Sequence, residues 1–215
     1  MKMTPLKKMI LVWDFPVRVF HWLLVISFVG AWLTSESEAQ QMLHYAFGYA
    51  AVVLVLFRVF WGVVGTKYAQ FNQFIKGPRA TIHHFKLMLI GKQAEGLGHN
   101  PAGALAMIAL MVFILLIGLT GYWSVKEFYG DLMNEAHEVV STVALVLVVI
   151  HVFAAIAMSF LQKENLVRSM VTGTKKGLPD EAISSAHYWV GVVLILLFAF
   201  SFFMVISSAL PSLTR

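Results

Sequence analysis

Residues 133–160 read MNEAHEVVSTVALVLVVIHVFAAIAMSF, an apolar run broken by two histidines, His137 and His151. The run has no period-two alternation and is apolar on most faces, so a helix is the only structure that satisfies its backbone in lipid. Fourteen helical residues rise ~21 Å and complete nearly four turns, so both imidazoles face one way at different depths. A histidine inside a lipid-spanning segment is costly and marks a functional position by default. His21 in the first apolar segment and His44 in the second are placed to complete two pairs.

Composition sets the class. Of 215 residues, 59% are hydrophobic and 13% charged, with a mean hydropathy of +0.77. A soluble domain carries about a quarter charged residues, so this is an integral membrane protein, with the lipid bilayer as its first partner. The absence of cysteine excludes disulfides, thiolate zinc sites, cysteine-held iron–sulfur clusters and covalent c-type haem. The first apolar segment lacks a small-residue cleavage site after its core and reads as a retained helix.

Five segments are long enough to span a bilayer, which takes about 20 residues: 15–33, 42–64, 103–123, 133–160 and 187–209. The expected fold is an all-α membrane protein of five spans. Charge orients it. Lys2, Lys7, Lys8 and Arg18 lie before or early in the first span, and the second and fourth connections are also basic. The first connection carries Glu36 and Glu38 with no base, and the third sets Lys126 against Glu127, Asp131 and Glu135. Positive loops stay in the cytoplasm, which puts the N-terminus inside and the C-terminus outside. The net charge of +5 is thereby explained by topology, with no nucleic-acid partner. Within the loop 65–102, the stretch from Ala80 to Lys92 reads equally as an amphipathic surface helix or a solvated loop.

Topology pairs the histidines. His44 and His137 share an outer level, His21 and His151 an inner one. Two axial imidazoles per iron leave no open position, so such haems carry electrons. Zinc would need ligands converging on one point. Gly48, one turn after His44, clears space for a porphyrin or for helix packing; Gly118 and Gly121 thin the third span in the same way. Arg58 and Arg18 sit at the inner level, as partners of haem propionates or as snorkelling anchors. Trp13, Trp22, Trp61, Trp123 and Trp189 are mostly belt residues. His83, His84 and His99 fall in the inner loop and read as solvated; His187 reads as interfacial, with a proton relay at a quinone site as the second reading.

The chain resembles the bacterial cytochrome b561 family, which includes the b-type cytochrome subunits of nickel–iron hydrogenases. Arg18-Val19-Phe20-His21-Trp22 is similar to the family's R-x-x-H-W opening. His44 through Gly48 to Arg58-Val59-Phe60-Trp61-Gly62 resembles its H-x-x-x-G and R-x-x-W-G pattern, and Gly98-His99-Asn100-Pro101 looks like a further signature. The similarity covers about residues 10–161 and implies an all-α fold in which a four-helix transmembrane bundle binds two haems: residues 1–161 form the core, 162–186 a basic cytoplasmic connection and 187–215 an additional C-terminal span that departs from the four-helix core. The resemblance implies two non-covalent, bis-histidine haems b exchanging electrons between membrane quinone and a protein partner. A basic periplasmic c-type cytochrome would be steered by Glu36, Glu38, Glu127 and Asp131, and a hydrogenase-like enzyme is the other expected partner. Homo-oligomerisation is left open. The rival readings are a proton-relaying transporter and a structural anchor, both without haem.

Overall fold

The computed structural model describes residues 6–73, 97–98 and 101–213, with the side chains of Pro101 and of 209–213 left aside. His83, His84, His99 and the stretch 80–92 lie outside the described residues.

Among the described residues, five helices are long and apolar enough to cross a membrane. They are α1 (Phe15–Leu33), α2 (Gln41–Val64), α3 (Pro101–Val125), α4 (Asp131–Leu161) and, after a short α5 (Leu166–Thr172), α6 (Tyr188–Leu213). Helix α1 starts where Asp14 caps it, its carboxylate accepting from the Val17 N–H at 2.8 Å, with Pro16 in the first turn. Helix α5 stops at Gly173, which adopts the left-handed conformation at φ 82°.

An all-helical reading misses one element. Strand β1 (Lys8–Leu11) pairs antiparallel with β2 (Thr174–Gly177), in the register Lys8 with Gly177 and Leu11 with Thr174. The connection after the fourth span is thus not a plain basic loop but α5, β2 and a 3-10 turn at Pro179–Glu181. Four residues of KMIL and TKKG lack the length and alternation that would announce strands; pairing two distant segments makes them so. The sheet puts the residues before α1 and those after α4 at one end of the bundle, called here the sheet end.

Among the described residues, two core clusters organise the interior. Ile10, Val12, Trp13, Val17, Trp61, Ala69 and Val190 pack at the sheet end. Phe20, Ala51, Leu54, Val55, Met111, Ile114 and Leu194 pack between α1, α2, α3 and α6. Helix α6 lies across α1 and α2, with Leu194 fully buried. Helix α4 packs along α3, and Ala144 is its one buried residue among those described. It contributes to neither cluster.

Candidate functional site

The fourth span approaches the second through imidazoles. The His44 and His137 rings lie 6.1 Å apart between centroids, their planes 79° to one another. Each ring is held from behind by a backbone carbonyl: His44 Nδ1 is 2.8 Å from the Ala31 oxygen and His137 Nδ1 3.1 Å from the Ile117 oxygen. A carbonyl only accepts, so both Nδ1 atoms carry the proton and both Nε2 atoms keep a bare lone pair. Those carbonyls belong to α1 and α3, so four helices cooperate in aiming two rings. The Thr120 hydroxyl, 3.3 Å from His137 Nδ1, adds a further contact. A Cβ on Gly121 would stand 3.0 Å from the His137 ring.

The glycines separate by role. A Cβ at Gly118 would meet Val52 at 2.3 Å, so Gly118 serves the packing of α3 on α2. Gly121 makes room for the imidazole. A Cβ at Gly48 meets nothing within 4 Å.

At the sheet end, His21 lies within electrostatic reach of His151 and stands edge-on to Trp22, ring centroids 5.0 Å apart. Among the described residues, three buried side-chain nitrogens have no hydrogen-bond partner: Arg18 Nε, His21 Nδ1 and Arg58 Nη1. All three belong to the group expected at the inner level. Arg58 does not snorkel; it is 1% exposed, donates to the Ala69 carbonyl at 2.9 Å and lies over the Phe71 ring at 4.9 Å. Arg18 donates to the Val171 carbonyl at 2.7 Å.

The sequence reading missed the residue that joins these parts. Asp14, 1% exposed, accepts from the Trp61 indole at 2.9 Å and the Thr66 hydroxyl at 2.6 Å besides capping α1. It is also the acidic group that Arg58 feels. An aspartate directly before a proline-led helix signals the cap but not the partners 47 and 52 positions away. Trp13 and Trp61 are buried rather than belt residues, at 5% and 7% exposure, whereas Trp189 is 70% exposed. His187, at φ 51°, packs edge-on to Trp61 at 5.6 Å.

The two ends differ in charge. Among the described residues the sheet end has Lys7, Lys8, Arg18, Arg58 and Lys67, and beyond α4 Lys163, Arg168, Lys175 and Lys176, against Asp14, Glu164, Asp180 and Glu181. The opposite end, here the far end, has Glu36, Glu38, Glu127, Asp131, Glu135 and Glu138 against Lys126.

Five apolar spans, two of which meet through an imidazole pair, make a membrane protein with paired histidines available to a metal-centred group. The family model described as prokaryotic cytochrome b561 matches residues 12–173. The chain belongs to the prokaryotic cytochrome b561 family and is a membrane b-type cytochrome, carrying haem b in electron transport. It is 22% identical to a probable Ni/Fe-hydrogenase B-type cytochrome subunit of Rhizobium leguminosarum bv. viciae, over 79% of this chain and 90% of that protein. It is 26% identical to the probable subunit of the same name from Azotobacter chroococcum mcd 1, over 75% and 86%. A probable Ni/Fe-hydrogenase 1 B-type cytochrome subunit of Escherichia coli K12 is 25% identical over 75% and 88%. No solved structure matches the chain.

Proposed function

We propose that the protein holds two haems b, one between His44 and His137 at the far end and one between His21 and His151 at the sheet end. Through them it passes electrons across a bacterial cytoplasmic membrane, between the quinone pool and a protein redox partner. The partner is a hydrogenase-like enzyme, in keeping with the names of the relatives, or a c-type cytochrome. The Lys-rich sheet end is cytoplasmic under the positive-inside rule, and the acidic far end faces the partner.

The observation that carries this reading is the far-end pair. Two imidazoles from facing spans stand 6.1 Å apart, and with Nδ1 of each against a carbonyl, both Nε2 atoms would be free to hold a haem iron. Bound this way, haem b supplies a one-electron couple with no open position for oxygen or substrate. The protein's own groups do the rest. The Ala31 and Ile117 carbonyls fix both tautomers with the proton on Nδ1. Arg18 Nε and Arg58 Nη1, buried and unpartnered, suit carboxylates such as propionates. Open space at Gly48 leaves a face that a flat ring can approach.

Visible spectra and a pyridine haemochrome assay on the purified chain test the reading, with two haems per chain expected. His44→Ala and His137→Ala should each remove the same haem; His21→Ala and His151→Ala should each remove the other. Retention of both haems in His151→Ala, or a colourless protein made with ample haem supply, would defeat it.

A further inference from the structure

Where α4 gives way to α5 at the sheet end, the chain leaves a hollow of about 300 Å³ that is lined by no histidine and no core-cluster residue. We infer that this hollow binds an anionic phospholipid, its phosphate held by Lys163 and Asn165 and an acyl chain laid along the end of α4. The inference is independent of how many haems the bundle holds.

One wall is apolar. Ile156, Phe160 and Val167 line it and are exposed by 43%, 78% and 47%. The first two stand on the last turns of a membrane-spanning helix, so hydrocarbon is the medium they meet. Between the walls the chain reverses at Lys163, which takes the left-handed conformation at φ 51°. A lysine stays there only where its surroundings hold it. The reversal brings the Leu166 N–H to the Ser159 hydroxyl at 3.0 Å.

The other wall offers donors. Both Glu164 oxygens are engaged, one by the Lys175 ammonium at 3.3 Å and the other by the Lys176 N–H at 3.2 Å. The Ser159 hydroxyl already donates to the Ala155 carbonyl at 2.7 Å, and Asn165 Oδ1 accepts the Arg168 N–H at 2.7 Å. That leaves the Asn165 amide nitrogen and the Lys163 ammonium, neither with a hydrogen-bond partner among the described residues. Groups that only donate recognise an anion. The Lys175–Glu164 pair is the only ion pair among the described residues, so Lys163 and the exposed Arg168 and Lys176 keep uncompensated charge. A free phosphate would leave the apolar wall bare. A lipid whose headgroup carries its own cation would gain less from the three bases. A phospholipid with net negative charge uses both walls, at the level where a helix leaves the hydrocarbon.

Native mass spectrometry of the full haem-bearing chain in detergent, titrated with palmitoyl-oleoyl phosphatidylglycerol or phosphatidylcholine, tests the site. Phosphatidylglycerol should give one distinct first adduct, bound about fivefold or more tighter than phosphatidylcholine. Lys163→Gln should weaken it about fivefold, the worth of one cation at an anionic surface, and Lys163→Arg should restore it. Val167→Trp, which fills the hollow and leaves its charge alone, should weaken it as much, whereas Lys126→Gln at the far end should change nothing. Equal affinity for the two lipids overturns the inference, as does phosphatidylglycerol binding unmoved in Lys163→Gln or in Val167→Trp. Displacement of the lipid by an equal concentration of inorganic phosphate would make the hollow a plain anion site and overturn it too. Should Val167→Trp fail to fold, judged by loss of its haem spectrum, Lys163→Gln decides.

Discussion

Asp14 shows how much one residue can hold together. Its carboxylate receives a backbone N–H, an indole and a hydroxyl in a buried site, and it supplies the acidic charge that Arg58 feels. Removing one member of such a network strands the others, at about 3–5 kcal/mol. Asp14→Ala is therefore expected to lower the thermal midpoint in detergent sharply and Asp14→Asn, which keeps an acceptor, by less; equal midpoints for all three proteins would contradict the network. Gly121 makes the matching case at the far end. Two extra methyls at Gly121→Val would push into the His137 ring, already 3.0 Å from a bare Cβ. Under the proposed function, haem content should fall from two to one per chain, with the sheet-end haem retained. The meeting of His44 with His137 was legible from helix spacing and span topology. Asp14 was not, because its partners come from another helix and the loop after it.

Among the elements, the strap of β1, α5 and β2 does most to fix the relation of α1 to α4. Those two helices share no core cluster, yet the Val12 and Trp13 N–H groups both donate to the Gly173 carbonyl, at 2.8 and 2.9 Å. Arg18 and Trp22 of α1 reach the carbonyls of Val171 and Met170. Buried Lys175 on β2 pairs with Glu164 at 3.3 Å, just past the end of α4. Gly173 sits at φ 82°, and a Cβ there would stand 2.7 Å from the Trp13 carbonyl. Gly173→Ala should cost about 1–3 kcal/mol, read as faster hydrogen exchange at the Lys8–Leu11 amides before any change in α3. The fifth span is likewise more than an appendage in packing terms. Leu194 is fully buried between it and the first two spans, so Leu194→Ala should lose about 2–5 kcal/mol, measured by detergent-melt midpoint. Hydropathy marks each long helix, since length and apolarity are local properties. The strap is invisible to it, being made of short segments more than 160 positions apart.

At the scale of the molecule, the charge asymmetry is the feature with the longest reach. A far end with six acids and one base among the described residues attracts a basic partner over about a Debye length, some 8 Å at physiological salt. Under the proposed function, electron transfer with a basic c-type cytochrome should slow as ionic strength rises, and Glu36→Lys with Glu38→Lys should slow it at low salt; a rate indifferent to both would remove this docking surface from the account. Membrane class, five spans, the relative depths of the histidines and the sidedness of charge were all set by sequence, because burial in lipid acts on each segment separately and leaves its mark in local composition. Which carbonyl holds which imidazole, that Arg58 is buried rather than snorkelling, that Gly118 packs while Gly121 clears a ring, and that a two-stranded sheet ties α1 to the end of α4 were decided by tertiary structure. Those outcomes depend on groups distant in the chain meeting within hydrogen-bonding or van der Waals reach, and no local pattern records such a meeting.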